Sequence, residues 1–324
     1  MFEADKLVFL AEGESANTIP AINNPKFIAA AAVDFLNDTS RVIGIKAGST
    51  IRAYPIEIMD WHEVVNDQLG SLPVAITYSS LSGSSIAFNR RVGRDILEFG
   101  ASGLLYNSNS IFTDSPTATD WLQFWRIGVR GNLTDNKLAS YSVFEMKWQK
   151  WKQLHPGSEV LSRSTGFNRP YGAYPYGDYR TDSTKILFDL DADMDSIGLV
   201  LSPKEKILGI NVAGMAKGYA LSLFPGSKFS LLQDEVNREP VVVIGNEEAG
   251  FIVAYSRRTN NDQVLDFSMV DSMDTPMLRD QNNRLWTIFG ELNEDERVKL
   301  NRLESNMAYW FIWKTFFKDI DLLL

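Results

Sequence analysis

The sequence predicts an α+β protein that is predominantly β, with two pseudo-symmetric β-rich modules, barrel-like or sandwich-like, and a few short helices. Short runs of Val, Ile, Phe and Tyr alternate with Gly, Asn, Asp and Pro at the spacing of hairpins. Few segments have helical periodicity. The chain also repeats itself, because Val42–Ile45 followed by Arg52–Ile56 recurs as Ile207–Ile210 followed by Lys217–Leu221. These three observations together define the predicted class.

The matches between the two halves continue in the same order and at nearly constant spacing. Asp67 with Pro73–Ile76 recurs as Asp234 with Pro240–Val243. Further matched positions are Gly83 with Gly250, Phe88 with Tyr255, Arg90–Arg91 with Arg257–Arg258, Ile96–Phe99 with Val264–Phe267, Asp114 with Asp280, and Trp121 with Trp286. A period this long indicates a duplicated domain and not a solenoid.

The duplication divides the chain into five predicted segments. They are an N-terminal arm and helix (1–41), a first β-rich repeat (42–130), a helical, Tyr/Gly/Pro-rich connector (131–200), a second β-rich repeat (201–290), and C-terminal helices packing on the core (291–324). Within the first repeat, Lys46–Ser49 predicts a hairpin turn. Helices are predicted at Ala29–Leu36, Phe144–Leu154, Glu294–Leu303 and Met307–Phe317.

Composition excludes several classes of function. The net charge of −9 over 324 residues argues against a nucleic-acid partner, because phosphate binding needs clustered Lys and Arg. The absence of cysteine excludes disulfides, thiolate nucleophiles and thiolate-bound metals. The most apolar segment, Met307–Leu324, contains Lys314, Lys318 and Asp319, so we predict no transmembrane helix. We expect a soluble protein whose partner is an unknown small molecule or protein.

His62 is the candidate metal ligand and lies in the segment Asp60–Asp67. The segment begins like the helix of a zinc protease, but Asn66 occupies the position of the second histidine. The one other histidine of the chain, His155, lies at the predicted end of a helix. Two interpretations stay open: His62 with carboxylates holds a harder metal ion, or His62 is a hydrogen-bonded histidine between the modules. We otherwise expect no cofactor.

A hydroxyl-rich segment, Tyr78–Ser85, separates two apolar strands. It has no Gly-x-Ser-x-Gly elbow, so it is either a polar turn or part of a site without the usual serine nucleophile. Gly100–Asn109 has the wrong glycine spacing for a phosphate loop. The candidate site therefore consists of His62, Glu63, Asn66, Asp67, Tyr78, Ser79, Ser82, Tyr106, Asn107 and Asp114.

Taken together, these segments resemble a family known only as domain of unknown function 3179. The resemblance runs from about Ile19 to the C-terminus, and it implies a fold and an exported or periplasmic protein, although no signal peptide is visible at the N-terminus. The motifs that carry it are Ile19–Ile22, Pro25–Phe27, Arg52–Pro55, Trp61–Asp67, Ser102–Ser108, His155–Pro156, Gly166–Phe167, Tyr174–Tyr179 and Tyr309–Phe311.

One departure from the family is chemically informative. Members usually carry a Cys-Pro-Leu-Cys-Gly loop where this chain has Ser79-Ser80-Leu81-Ser82-Gly83. A Cys-x-x-Cys loop near a histidine implies a thiol redox pair or a soft-metal site. Serine replaces neither function, because its hydroxyl has a much higher pKa than a thiol.

We therefore expect a non-catalytic scaffold or binding protein whose ancestral Cys-x-x-Cys/His site has decayed. The alternative is an enzyme or metal-binding protein that uses His62 with carboxylate and hydroxyl ligands. A second alternative is a carbohydrate-binding protein, in which an aromatic cluster stacks on sugar rings. That cluster consists of Tyr171, Tyr174, Tyr176 and Tyr179.

Overall fold

The chain folds into several antiparallel sheets with short helices between them, as a computed structural model describes for residues 7–9, 19–186, 200–270 and 275–324. Those residues contain three α-helices of seven residues each, α1 (Ile56–His62), α2 (Trp148–Leu154) and α3 (Trp310–Phe316). The predicted class, α+β and predominantly β, is confirmed. The sheets stay open throughout this described part, so the barrel-like form of the prediction does not occur there.

The described residues of the first half of the chain form sixteen strands. In chain order they are β1 Leu7–Phe9, β2 Phe27–Ala29, β3 Arg41–Ala47, β4 Thr50–Pro55, β5 Val64–Leu69, β6 Leu72–Ser79, β7 Ser84–Asn89, β8 Arg91–Val92, β9 Asp95–Ile96, β10 Phe99–Tyr106, β11 Asn109–Asp114, β12 Thr119–Leu122, β13 Ile127–Arg130, β14 Ser140–Tyr141, β15 Phe144–Lys147 and β16 Glu159–Leu161.

The second half contains twelve strands among its described residues. They are β17 Lys206–Val212, β18 Met215–Ala220, β19 Ser230–Val236, β20 Glu239–Asn246, β21 Phe251–Ser256, β22 Phe267–Val270, β23 Met277–Asp280, β24 Leu285–Thr287, β25 Glu291–Leu292, β26 Asp295–Lys299, β27 Glu304–Tyr309 and β28 Asp321–Leu323.

The two halves use the same topology. The hairpin β3–β4 is extended by β15 on one side and by β16, parallel to β4, on the other; the hairpin β17–β18 is extended by β27 and by the parallel β28 in the same way. Next come the meanders β5–β6–β7 and β19–β20–β21. The duplicated unit thus includes the strand–helix–strand segments 144–161 and 304–323, beyond the residues that the sequence comparison matched.

In each unit a tryptophan ring of the helix packs directly against a glycine of the sheet. A Cβ added to Gly44 in β3 would lie 1.8 Å from the ring of Trp151 in α2. A Cβ added to Gly209 in β17 would lie 2.0 Å from the ring of Trp313 in α3. Because no larger residue fits under either ring, the glycine lets the helix approach the sheet closely.

The two units also bond to each other reciprocally. The N–H of Tyr309, at the end of β27, donates to the carbonyl of Ser82 at 2.9 Å. The N–H of Lys147, at the end of β15, donates to the carbonyl of Ala249 at 2.8 Å. Such exchange of equivalent contacts is what a two-fold relation produces.

The predicted hairpin turn at Lys46–Ser49 is confirmed, since Ala47 pairs with Thr50 and Gly48 has a φ of 58°. The prediction of a helix at Glu294–Leu303 is wrong, because β26 lies there and pairs with β25. Its charged residues have good helix propensity, but strand pairing overrides a weak local preference.

Two other predicted helices begin too early. Helix α2 follows β15, so Phe144–Lys147 is strand, and α3 follows β27, so Met307–Tyr309 is strand. Both stretches are largely buried, and a strand buried on both faces lacks the alternation that would distinguish it from a helix. At Ala29–Leu36 the helix shrinks to one 3-10 turn, Ala30–Ala32.

Candidate functional site

His62 is fully buried at the end of α1, and both of its ring nitrogens have hydrogen-bond partners. Nδ1 lies 2.7 Å from the carbonyl oxygen of Pro20 and must donate to it, so Nε2 accepts from the hydroxyl of Tyr171 at 2.6 Å. The Tyr171 hydroxyl also lies 2.5 Å from Thr165 Oγ1. Burial lowers the pKa of His62, which agrees with a neutral ring. In this geometry His62 connects residues 166–180, which we call the tyrosine-rich loop, to the first repeat.

Asp67 and Asp114 form contacts that their repeat counterparts also form. Asp67 accepts from the Tyr54 hydroxyl at 2.5 Å and pairs with Arg52, while Asp234 accepts from the Tyr219 hydroxyl at 2.9 Å and pairs with Lys217. Asp114 accepts from Trp121 Nε1 at 2.8 Å, and Asp280 accepts from Trp286 Nε1 at 3.0 Å. A contact made twice in one chain is best explained by its role in folding the repeat.

Asn66, Tyr106 and Asn107 also have structural surroundings. The Asn66 side chain donates to the Phe99 carbonyl at 2.7 Å and accepts from the Phe99 N–H at 3.1 Å, which joins β5 to β10. Tyr106 is buried against Trp125. Asn107 has a φ of 49° in the β10–β11 turn, a conformation that asparagine tolerates well.

The serines of the β6–β7 turn belong to two buried polar groups. Ser82 Oγ lies 2.7 Å from Ser84 Oγ, and Asn109 Nδ2 donates to both. Gln123 completes this group by accepting from Ser84 at 2.7 Å. Ser79 belongs to the second group, since its hydroxyl accepts from the N–H of Ser110 at 3.1 Å and lies 3.0 Å from the Ser110 hydroxyl.

Glu63 is the acidic member of the second group. Ser110 Oγ donates to Glu63 Oε2 at 3.2 Å, and Tyr176 also bonds to this carboxyl. The pKa of Glu63 is raised to about 7, because burial and the nearby Asp60 outweigh the lowering effect of the bonds from Ser110 and Tyr176. Glu63 has a φ of 55° as the residue that ends α1.

Tyr78 alone among the candidates lines a large cavity, which we call the central cavity. Its volume is about 480 Å³. Equivalent positions of the two repeats contribute to its wall in pairs, and the tyrosine-rich loop closes one side. The paired positions are Thr39 with Lys204, Ser40 with Glu205, Arg41 with Lys206, and Ile56 with Leu221. The cavity therefore lies where the two-fold-related units meet.

The charged groups at the floor of the central cavity share one carboxylate. Arg41 Nη2 donates to Glu145 Oε2 at 3.0 Å, and Lys206 Nζ donates to the same oxygen. The other oxygen of Glu145 accepts from Ser85 at 2.6 Å. Burial raises the pKa of Glu145, but Lys206 and Arg41 outweigh it and hold the pKa below its usual value.

For Lys206, unlike Glu145, the effect of burial on the pKa outweighs the effect of its charged partner. Burial lowers its pKa to about 8, Glu145 raises it, and Arg41 lowers it because it is a second cation on the same carboxylate. Two cations and one anion leave a net positive charge at this wall of the cavity.

A second ion pair connects α1 to the tyrosine-rich loop. Arg180 donates to Asp60 Oδ1 at 2.5 Å, and Ser80 donates to the same oxygen at 2.9 Å. The Arg180 guanidinium lies 4.1 Å from the ring centroid of Tyr174. Burial raises the pKa of Asp60, and Arg180 lowers it.

The tyrosine cluster does not form one exposed platform. Tyr174 lines the central cavity, whereas Tyr179 is buried and donates to the Leu81 carbonyl at 2.9 Å. Tyr171 is engaged by His62, and Tyr176 by Glu63.

The chain matches one protein family over most of its length. The sequence model of a family described as "Protein of unknown function (DUF3179)" matches residues 16–320. This chain belongs to the DUF3179 family. No curated protein and no solved structure matches it.

Within the described part of this DUF3179 protein, no helix is long and apolar enough to cross a membrane. The same residues contain no group of three or more His, Asp or Glu side chains arranged to hold a metal ion. His62, Glu63 and Asp67 follow one another closely in sequence but point into three separate surroundings.

Sequence reasoning missed most residues that line the central cavity of the DUF3179 fold. Arg41, Arg180 and Lys206 line it, and Glu145 bonds to Arg41 and Lys206. These four residues are far apart in the chain and belong to no short motif. The repeat contained one usable signal, because Arg41 and Lys206 are the first residues of the equivalent strands β3 and β17.

Proposed function

We propose that this DUF3179 protein binds a small molecule that carries a carboxylate or phosphate group, held in the central cavity. The observation that carries the proposal is the shared carboxylate: Arg41 and Lys206 both bond to one oxygen of Glu145. An anionic ligand beside these two cations would balance the remaining charge. Charge-assisted hydrogen bonds of this kind are about twice as strong as neutral ones.

The size and lining of the cavity support a small organic ligand. A volume of about 480 Å³ lies within the range of small-molecule sites. Tyr78, Tyr174 and Tyr309 supply aromatic surface, and Ile56 and Leu221 supply aliphatic surface. Such a wall, with a few charged groups at one side, favours a ligand with an apolar body and an anionic end.

The first test is a thermal-shift panel on the untagged protein. Citrate, succinate, inorganic phosphate and glucose 6-phosphate are compared with glucose and glycerol at constant ionic strength. We expect one of the anionic compounds to raise Tm, since a ligand at a hundred times its Kd stabilises by about 2.7 kcal/mol. The carboxylates and the phosphates in the panel separate the two ligand chemistries.

The matched variants are Lys206→Met and Lys46→Met. Lys46 is also a paired lysine, bonded to Glu291 and Glu296, but it lines a different cavity. The Lys206→Met substitution should abolish the shift, and the Lys46→Met substitution should leave it. Equal shifts with neutral sugars, or an unchanged shift in Lys206→Met, would count against the proposal.

One observation favours a second function, an enzyme. An amine whose pKa is lowered to about 8 by burial is partly neutral near physiological pH, when it can act as a base or nucleophile. Incubation with pyruvate and borohydride tests this, because an amine and a ketone form an imine that borohydride reduces to a stable amine. Preferential labelling of Lys206, measured by peptide mass spectrometry, would favour the enzyme hypothesis over the binding-protein hypothesis. Labelling no faster than at exposed lysines would remove the support for an enzyme.

A further inference from the structure

A second, smaller cavity lies between the two repeats, on the other side of Glu145 from the central cavity. Its volume is about 40 Å³. Strand β7 and the segment around β14 and β15 enclose it from the first repeat, and β17, β21 and β27 enclose it from the second. It has room for about three water molecules, or for one small anion, since one water needs about 10–15 Å³ on this measure.

Arg126 lies in the wall of the smaller cavity and forms no ion pair among the described residues. The residue is 7% exposed. Among the described residues no carboxylate lies within 4.0 Å of its guanidinium, and its Nε has no hydrogen-bond partner. Its contact with Asn306 is long, 3.4 Å from Nη2 to Oδ1. A buried guanidinium without a paired anion is strongly unfavourable, so such a group normally has a compensating partner.

Two further donors surround the same space. Asn306 is 7% exposed, and its Nδ2 has no hydrogen-bond partner among the described residues. Arg302, which is exposed to solvent at one side of the cavity, donates from Nη1 to the Ser140 carbonyl at 2.6 Å. The pKa of Arg302 is lowered to about 10, because desolvation of the guanidinium and the neighbouring Arg126 cation together outweigh the raising effect of Tyr255.

Glu145 is the one carboxylate that the described residues place in the wall, and it is already paired. Glu145 bonds to Arg41, Lys206 and Ser85. Glu304, which acts electrostatically on Arg126, pairs with Lys137. Two arginines and an amide therefore present donors to one small space in which the protein supplies no free anion.

We infer that the smaller cavity is a binding site for a monovalent anion of the size of chloride, held by Arg126, Arg302 and Asn306. The ion neutralises the repulsion between the two guanidinium groups and accepts hydrogen bonds from the unpaired Nε and Nδ2. Because it contacts β27 of one repeat and the segment after β12 of the other, it joins the two units.

The test compares Tm in sodium chloride, sodium bromide and sodium gluconate at the same ionic strength and pH. Gluconate is too large for a cavity of about 40 Å³. We expect chloride and bromide to raise Tm by about 2–4 °C relative to gluconate, because an ion that binds the folded state alone stabilises it. Equal Tm values in the three salts would overturn the inference and indicate that the cavity holds water.

Three variants assign the effect to this site. Arg126→Met should remove the difference between chloride and gluconate and raise Tm in gluconate, because it deletes an uncompensated buried charge. Arg297→Met, at a side chain that is 90% exposed, should keep the difference. Lys204→Met should also keep it, because Lys204 lines the central cavity and bonds to backbone carbonyls away from Glu145; this variant separates the site from the central cavity.

A crystal grown in bromide gives a direct readout that does not depend on any variant folding. An anomalous peak within hydrogen-bond distance of Arg126 Nε and Asn306 Nδ2 is the expected result. An ordered crystal without a peak there would overturn the inference whatever the salt dependence of Tm.

Discussion

The two repeats share their scaffold and differ at the cavity between them. Both have the tyrosine–aspartate pair, the aspartate–tryptophan pair and the glycine under a tryptophan ring. Only the first repeat has an α-helix after its opening hairpin; the second has the short 3-10 turn Leu221–Leu223. The helix supplies Asp60, and the segment after it supplies Glu63. The repeated features hold the fold, so the features present once are the better candidates for function.

The buried polar groups follow the same division. Thr77 and Ser84 of the first repeat occupy the strand positions of Ile244 and Phe251 in the second. The second repeat packs apolar side chains there, as a core usually does. The first repeat instead holds a hydrogen-bonded group around Gln123, which is fully satisfied by its own members.

The largest expected effect tests the shared scaffold. Gly44→Ala and Gly209→Ala should each destabilise the protein by about 3 kcal/mol or more, because the new methyl group overlaps a tryptophan ring. Urea denaturation measures both, and Gly157→Ala is the control, since nothing lies within 4 Å of its Cβ position. If Gly44→Ala were harmless and Gly209→Ala were not, the two units would not be equivalent.

The next largest effect is a pH dependence of stability that comes from a buried acid present only in the first repeat. The pKa of Glu63 is raised to about 7, so the folded state holds its proton over a pH range in which the unfolded state, with a value near 4.5, has lost it. Stability from this group therefore falls as pH rises from about 4.5 to 7. Glu63→Gln should remove this fall and stabilise the protein at pH 8 by up to about 3 kcal/mol.

Urea denaturation of both proteins at pH 5 and pH 8 measures that difference. The second repeat has Ser230 at the matched strand position, so Ser230→Ala serves as the control without a pH effect. A Glu63→Gln variant that keeps the wild-type pH dependence would show that this carboxyl is ionised in the folded protein.

The two equivalent aspartates, Asp67 and Asp234, should contribute different amounts to the free energy of unfolding. Asp67→Asn should cost about 2 kcal/mol, because Asp67 is 5% exposed and bonds to both Tyr54 and Arg52. Asp234→Asn should cost about 1 kcal/mol, because its side chain is 21% exposed. Thermal denaturation measures both. Loss of ligand binding at full stability in Asp67→Asn would instead return Asp67 to the candidate site.

The smallest expected effect concerns Lys206 and its repeat counterpart Arg41. Lys206 is charged below a pKa of about 8 and neutral above it, so affinity for an anionic ligand should fall by up to tenfold per pH unit above pH 8. Calorimetry at pH 7, 8 and 9, with the anion that stabilises most in the thermal-shift panel, measures this. Lys206→Arg should abolish the fall, because a guanidinium stays charged. A pH dependence retained in Lys206→Arg would assign it to another group.

The sequence predicted features that depend on local pattern or on the repeat. The β class, the duplication and the turn at Gly48 follow from alternation, matched spacing and a left-handed glycine. Strands β15 and β27 were mistaken for helix, since burial on both faces hides their period. The cavity depends on contacts between distant segments, such as Arg180 with Asp60, which no local pattern encodes. Tyr78 was found because it adjoins a conspicuous turn; Lys206 and Glu145 adjoin none.

The reciprocal bonds from Tyr309 to Ser82 and from Lys147 to Ala249 have a consequence for descent. A single unit that met its own copy through these contacts would be a homodimer, with a cavity on the axis and a basic residue from each subunit at its wall. In such an ancestor every substitution appears on both sides of the axis at once. In a fused chain the two sides can differ, so the first repeat has Tyr78 at the position that Gly245 occupies in the second. A homodimer with exact two-fold symmetry could not have the asymmetric cavity wall that this chain has.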